Sequence, residues 1–175
     1  MMTRPNHTLW THVRQCEIPG QPVGKGRPRF YKRGRYTKVF TPEKTKNYEE
    51  RVAVFAAGKC IPREVPVRIE CLFIFQRPQR LMRRKDPDGL LLMTSKPDGD
   101  NVLKAVLDGL NGVAYQDDAQ VTDSSFMKRY SEKDRGPRVV VNIYTATPIN
   151  NLSTRNQNPD DMAPSTERTD NGSSD

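Results

Sequence analysis

The stretch that most constrains what this 175-residue chain can fold into is Lys96-Pro97-Asp98-Gly99-Asp100-Asn101-Val102-Leu103-Lys104 and the periodic run after it. Val102, Leu103, Val106, Leu107 and Leu110 recur at helical intervals and Asn111-Gly112 is a stop signal, so the spacing predicts a helix of about ten residues from Asn101. With extended backbone before that helix, Asp98 and Asp100 point to one side and can converge on one cation. Lys104 then lies one turn beyond Asp100 on the same face. Two acids therefore stand at a helix start, with one cation a turn inward.

An isolated Asp-x-Asp is more commonly a turn or a helix cap than a metal site. Here a second acidic pair follows, Asp117-Asp118, leading into Ala119-Gln120-Val121. The short helix and its turn are expected to bring this segment back beside the first acids. Neighbours on an extended segment oppose each other, so only one of Asp117 and Asp118 is expected to be a ligand. Carboxylate oxygens suit Mg2+ or Mn2+, and a phosphodiester is what such an ion usually activates.

Charge points to a compatible partner. The formal net charge is +8, and Pro148 to Asp175 holds five acids against two arginines, which leaves +11 on residues 1–147. Such a body suits a polyanion, although a solvated cationic surface has the same count. Between Lys25 and Lys38, seven cations (Lys25, Arg27, Arg29, Lys32, Arg33, Arg35 and Lys38) occur without an acid, interleaved with Phe30, Tyr31, Tyr36 and Phe40. Lys32-Arg33-Gly34-Arg35 falls where a hairpin turn is expected, so this segment reads as a basic ribbon able to hold phosphates and stack on exposed bases. Its bland reading is a solvated hairpin whose aromatics pack on the core. A second basic run, Arg77, Arg80, Arg83, Arg84 and Lys85, opens the long connection to Ser95, which reads equally as a DNA-clamping flap or a disordered insertion. Asp86 and Asp88 repeat the acidic spacing, but no helix with an inward lysine follows them. Gly24-Lys25-Gly26 lacks the spacing of a phosphate-binding loop, which argues against nucleotide hydrolysis.

The remaining elements set the fold class. Trp10 to Ile18 reads as a strand broken by Pro19-Gly20-Gln21-Pro22. Thr41-Pro42-Glu43 reads as a helix start with Thr41 as N-cap, Tyr48, Val52 and Phe55 as the core stripe, and Gly58 as the end. Val65 to Gln76 is the clearest strand, with Val67, Ile69, Cys71, Phe73 and Phe75 on one face. Strands are also expected at Ala119 to Arg129 and Arg138 to Tyr144. The order predicts an α+β domain over residues 1–147, with a mixed β-sheet and two helices on one face. Residues before about Thr8 are expected to fray, and residues 148–175 are too polar to pack and read as a disordered tail. An apolar fraction of 34% and a mean hydropathy of −0.80 agree with an unpacked portion.

Other chemistries find little support. Cys16, Cys60 and Cys71 are odd in number and lack a C-x-x-C, so they read as buried reduced thiols, and His7 and His12 lie away from the acids. The longest apolar run, Val52 to Ala57, is too short for a bilayer, and no apolar leader opens the chain. A cytoplasmic location without a membrane partner is expected.

The combination Lys-Pro-Asp-x-Asp-Asn-x2-Lys, then Leu-Asp-Gly-Leu-Asn-Gly, then Asp-Asp-Ala-Gln-Val closely resembles the RusA family of crossover-junction endodeoxyribonucleases, the Holliday-junction resolvases. The likeness is dense from Lys96 to Val121. It is looser from about Trp10 to Tyr144, and includes Gly24-Lys25-Gly26-Arg27-Pro28-Arg29-Phe30 and Thr41-Pro42-Glu43-Lys44-Thr45. The resemblance implies a small homodimeric, Mg2+-dependent nuclease, mostly bacterial or carried by phages and prophages, that nicks four-way DNA junctions in recombination and repair. Mn2+ is expected to substitute, and no nucleotide cofactor is implied. By resemblance, Asp98, Asp100 and Asp118 match the metal-binding aspartates and Lys104 the catalytic lysine. Gly99 stands where the family usually has an apolar residue, a departure expected to loosen the loop without removing a ligand. Two other classes stay open: a non-catalytic basic DNA-binding module whose acids only cap a helix, and a metal-dependent phosphohydrolase of a small substrate.

Overall fold

The computed structural model describes residues 9–147; the expected fraying before Thr8 and the expected tail from Pro148 lie outside that range. The fold is built on β4 (Val67–Phe75), where β-branched and aromatic residues alternate and Val67, Ile69, Cys71, Phe73 and Phe75 are all buried. Around it lies a five-stranded sheet in the order β1 (Leu9–Pro19), β7 (Arg138–Thr147), β4, β6 (Val121–Tyr130) and β5 (Leu91–Leu92). The β4–β6 pair is parallel and the other neighbours are antiparallel, so the sheet is mixed. A parallel pair needs a long crossover, and α2 (Gly99–Leu110) lies within it.

Two helices cover one face, as expected of an α+β domain. Tyr48, Val52 and Ala56 from α1 (Glu43–Phe55) and its C-terminal residue share one buried cluster with Val102, Ala105, Val106 and Leu110 of α2 and with alternate residues of β4 and β7. Each such fully buried side chain contributes roughly 1.5–3 kcal/mol before entropy, so this layer fixes the fold. The helices meet closely at Gly109, where a Cβ would fall 2.7 Å from the Val52 Cβ and 2.8 Å from the Glu49 carbonyl oxygen. Lys25 ties them together, its ammonium pairing with Glu49 at 2.6 Å and with Asp108.

Several boundaries differ from the sequence expectation. The N-cap of α1 is Pro42 rather than Thr41, with an extended ψ of 137°, and it makes no side-chain cap bond, since proline has no side-chain acceptor. The helix ends at Ala56, before Gly58; Ala56 takes the buried position and Phe55, 47% exposed, turns to solvent. Strand β6 starts at Val121, after a short 3-10 turn, because the buried side chain of Gln120 donates to the carbonyls of Pro62 and Val65 and draws the chain around. Cys60 is only partly buried.

The Arg77–Ser95 connection is ordered around two cations. Arg77, 2% exposed, donates to the carbonyls of Ser131, Pro87 and Gly89. Lys133 donates to the carbonyls of Arg83 and Asp86 and pairs with Asp88 at 2.9 Å. A disordered insertion is therefore not what forms. By contrast, the basic ribbon is the expected hairpin: β2 (Arg29–Arg33) and β3 (Tyr36–Phe40) make a separate two-stranded sheet, with Gly34 at φ 59° in the turn. No helix among the described residues is long and apolar enough to cross a membrane.

Candidate active site

Asp98 and Asp100 both stand at a helix start rather than on an extended run. Asp98 is the N-cap of α2, with φ −67° and ψ 139°, Gly99 opens the helix, and Asp100 lies in its first turn. The assumption of extended backbone through both acids therefore fails after Asp98. The Asp98 carboxylate makes no cap bond to its own helix, and both acids are exposed at the helix's partially positive end. Lys104 is exposed one turn further along, on the side of Asp100.

The segment carrying the acids is held by one face of β6. Phe126, Lys128 and Tyr130 alternate along that strand and so point the same way. The Lys128 ammonium donates to the carbonyls of Ser95 at 2.7 Å and Pro97 at 2.8 Å, and the Tyr130 hydroxyl meets the Ser95 hydroxyl at 2.8 Å. Phe126 stacks on Phe73 with centroids 5.7 Å apart and lies against Gly99, where a Cβ would fall only 2.0 Å from the ring. Gly99 is therefore the seat of an aromatic ring and tightens the loop, contrary to the expected loosening. From the other side, the Lys25 N–H donates to the Asn101 carbonyl at 2.9 Å. Sequence reasoning missed Phe126, Lys128 and Tyr130; their two-residue spacing was visible, but not what they face.

The second acidic pair divides its labour. The Asp117 carboxylate accepts from the Ala119 N–H at 2.9 Å and pairs with Arg63 at 2.8 Å, while the Gln120 side chain accepts from the Asp117 N–H. The Ala119 N–H first, then the neighbouring Asp118 side chain and the charge of Arg63, hold the Asp117 carboxyl below its ordinary range. Asp118 is exposed at the start of the 3-10 turn. It lies near the buried Tyr115, whose hydroxyl donates to the Leu107 carbonyl at 3.0 Å and whose pKa is pushed up by burial and then by Asp118 and Asp108.

Within one chain these acids do not all meet. The 12 residues of α2 span roughly 18 Å. Asp98 and Asp100 sit at its N-terminal end, whereas Asp118 lies near Tyr115, whose hydroxyl meets Leu107 toward the helix's C-terminal end. The turn returns the chain to the sheet there, and β6 reaches the level of Gly99 only at Phe126. Among the described residues no three His, Cys, Asp or Glu side chains are grouped to hold a metal ion. The carboxylate donors suit a hard divalent cation, but the described residues of one chain do not group all three.

These observations agree with the comparison to known proteins. The chain matches the family described as Endodeoxyribonuclease RusA over residues 19–144, a span that includes Asp98, Asp100, Lys104 and Asp118. The chain belongs to the RusA endodeoxyribonuclease family. It is also 36% identical over 134 residues to a protein of Bacillus subtilis (strain 168) described as Uncharacterized protein YqaN, covering 72% of this chain and 92% of that one. RusA membership makes DNA-phosphodiester cleavage the activity class, that of the Holliday-junction resolvase nucleases.

The cations of this RusA chain fall into two groups. Arg27, Lys32 and Arg35 of the hairpin region and Arg83 and Arg84 of the long connection are exposed, while Arg29 and Arg33 are strand residues of β2. Lys25 is committed to its two carboxylates; burial alone would lower its pKa, but the hydrogen bonds to Asp108 and Glu49 outweigh this and raise it. A groove of about 750 Å3, lined in part by Gly26, Arg27, Lys44, Pro97 and Asn101, runs between the hairpin's base, the start of α1 and the start of α2. It therefore ends beside Asp98.

Proposed function

We propose that this RusA-family protein is a Mg2+-dependent endonuclease, with Mn2+ as a substitute, that nicks four-way DNA junctions as a homodimer. The observation that carries the reading is the unspent carboxylate of Asp98. An acid that served only as a helix cap would bond its own helix, as Asp117 bonds the turn after it; Asp98 instead stands free of α2 beside Asp100. This disfavours a binding module whose acids are merely structural.

Asp98, Asp100 and Asp118 are the residues that would hold the ion. Bound there, a divalent ion supplies positive charge to the scissile phosphate and acidifies a water. Asp118 of a second copy is the natural third ligand. Among the described residues the outer edge of β6 is paired at Arg129 and Tyr130, with one more backbone bond from Met93 to Lys128, leaving an open stretch that includes the exposed Phe126 and Met127. An antiparallel approach of two such edges would set the start of one β6, with its Asp118, against the Phe126 end of the other, with its Asp98. The two-fold symmetry of that arrangement matches a four-way junction. Lys104, a turn inside Asp100, offsets negative charge developing on the phosphate, and Arg27, Lys32 and Arg35 hold flanking phosphates. Lys25 positions α2 through Asp108 rather than gripping DNA.

The test is nicking of a synthetic four-way junction and of a linear duplex of equal length, with Mg2+ or with chelator. Junction-selective nicking that requires Mg2+ is expected. Asp98→Asn, Asp100→Asn and Asp118→Asn are each expected to abolish cutting and retain junction binding, and near-normal turnover of any one would remove it from the site. Lys104→Ala is expected to cut on the order of 100-fold more slowly with little change in affinity. A Lys104→Ala protein that binds poorly but cuts normally when saturated would reverse that assignment.

A further inference from the structure

One face of the hairpin has a composition that cleavage chemistry does not use. The β2–β3 register sets Arg29 opposite Phe40, Tyr31 opposite Lys38 and Arg33 opposite Tyr36. Directly paired residues share a face and successive pairs alternate faces, so Tyr31, Tyr36, Lys38 and Phe40 lie together. Tyr31 is 58% exposed, Tyr36 85% and Phe40 44%, and none of the three belongs to the buried cluster under the main sheet. An isolated two-stranded sheet is marginally stable, and rings left in water add little to it, so folding does not account for them. Tyr31, Gly34, Arg35, Tyr36 and Lys38 line an open cavity of about 650 Å3 on the hairpin.

We propose that this face is a stacking platform for the base faces exposed at the branch point of the DNA substrate. Aromatic rings in a cationic strip accept any base with an exposed face, while the neighbouring charges hold the backbone. Bases inside a duplex are stacked on each other and offer no such face; bases at a branch do. The absence of any acid from Lys25 to Lys38 favours a polyanion and opposes a second copy of the same face. The platform thus adds a preference for branched over linear DNA that phosphate contacts alone do not give. It rests on the proposed function only in its choice of branched DNA.

The experiment is binding in chelator, without cleavage, to a four-way junction carrying 2-aminopurine at the branch point and to a linear duplex of equal length. The wild-type protein is expected to change the probe's emission. Tyr31→Ser and Tyr36→Ser are each expected to lower the ratio of junction to duplex affinity about tenfold, with Tyr→Phe restoring it. Both rings are exposed, and circular dichroism with a thermal melt checks that the variants fold. An equal loss on both DNAs, or unchanged affinity, overturns the proposal. So does a Tyr36→Ser protein that sediments as a monomer where the wild type is a dimer, since the face would then be a subunit contact. Because no ion is present, failure to cut under other conditions counts against the cleavage reading alone; normal cutting with tyrosine variants of unaltered selectivity counts against the platform alone.

Discussion

Gly99 shows how much one residue's role depends on a partner distant in sequence. A methyl group there would meet the Phe126 ring at 2.0 Å, and that ring is itself backed by Phe73. Gly99→Ala is expected to destabilise the protein by about 1–3 kcal/mol through overpacking. Phe126→Ala removes the obstacle, so the double variant is expected to recover part of that loss, with a coupling of ~1 kcal/mol or more by urea denaturation. Strictly additive losses would show that the ring is not what excludes the side chain. Asp98, Asp100 and Lys104 stand out as candidates in the sequence because their relation is set by spacing along one local segment. Lys25 and Asp117 could be counted as a cation and an acid, but their commitment to Glu49, Asp108 and Arg63 is tertiary and left no local trace.

At the scale of elements, periodicity revealed α2 and β4 because apolar spacing is what drives their burial, whereas ends and connections depended on polar contacts between segments. The Arg77–Ser95 connection reads by composition equally as a flap or a disordered insertion, yet Arg77 at its start and Lys133 beyond it satisfy its carbonyls. The entry to β7 is fixed in a similar way. Arg138, 5% exposed, makes two hydrogen bonds to Glu132, at 2.7 and 3.0 Å. The bonds from Arg138 hold the Glu132 carboxyl below its ordinary value of 4.5. A folded-state pKa below the unfolded one means that the pair's stabilisation is complete above the unfolded value and is lost as pH falls through the folded one. Glu132→Gln is therefore expected to cost roughly 1–3 kcal/mol at pH 7, leaving a buried guanidinium without its main partner. The gap from wild type should close progressively as pH falls below 4.5. A gap that persisted unchanged in acid would assign the cost to shape rather than charge.

At the scale of the whole molecule, the decisive relation is between the two ends of α2. Asp98 and Asp100 stand at the helix's N-terminal end and Asp118 follows its C-terminal end, and among the described residues the three are not grouped, so the proposed three-acid cluster is one that two chains would complete. Local spacing marked the candidate acids but not that the crossover places them apart, because the parallel β4–β6 pairing fixes where β6 begins. A shared site has a consequence that a self-contained one lacks. In a mixed dimer of Asp98→Asn and Asp118→Asn chains, one site gathers both substitutions and the other gathers none. Co-expressing the two inactive variants should therefore restore cutting, but from one site per dimer. On a supercoiled plasmid that extrudes a cruciform, the wild type is expected to give linear product early, since both cuts fall within one binding event. The mixed dimer is expected to give nicked circle instead. Asp98→Asn co-expressed with Asp100→Asn should stay inactive, because those acids lie in the same half and every site carries one substitution. Inactivity of the Asp98→Asn and Asp118→Asn mixture, once dimer formation between the two variants is verified by differential tagging, would mean that each chain closes its own site by a movement of the β6 entry toward α2's first turn.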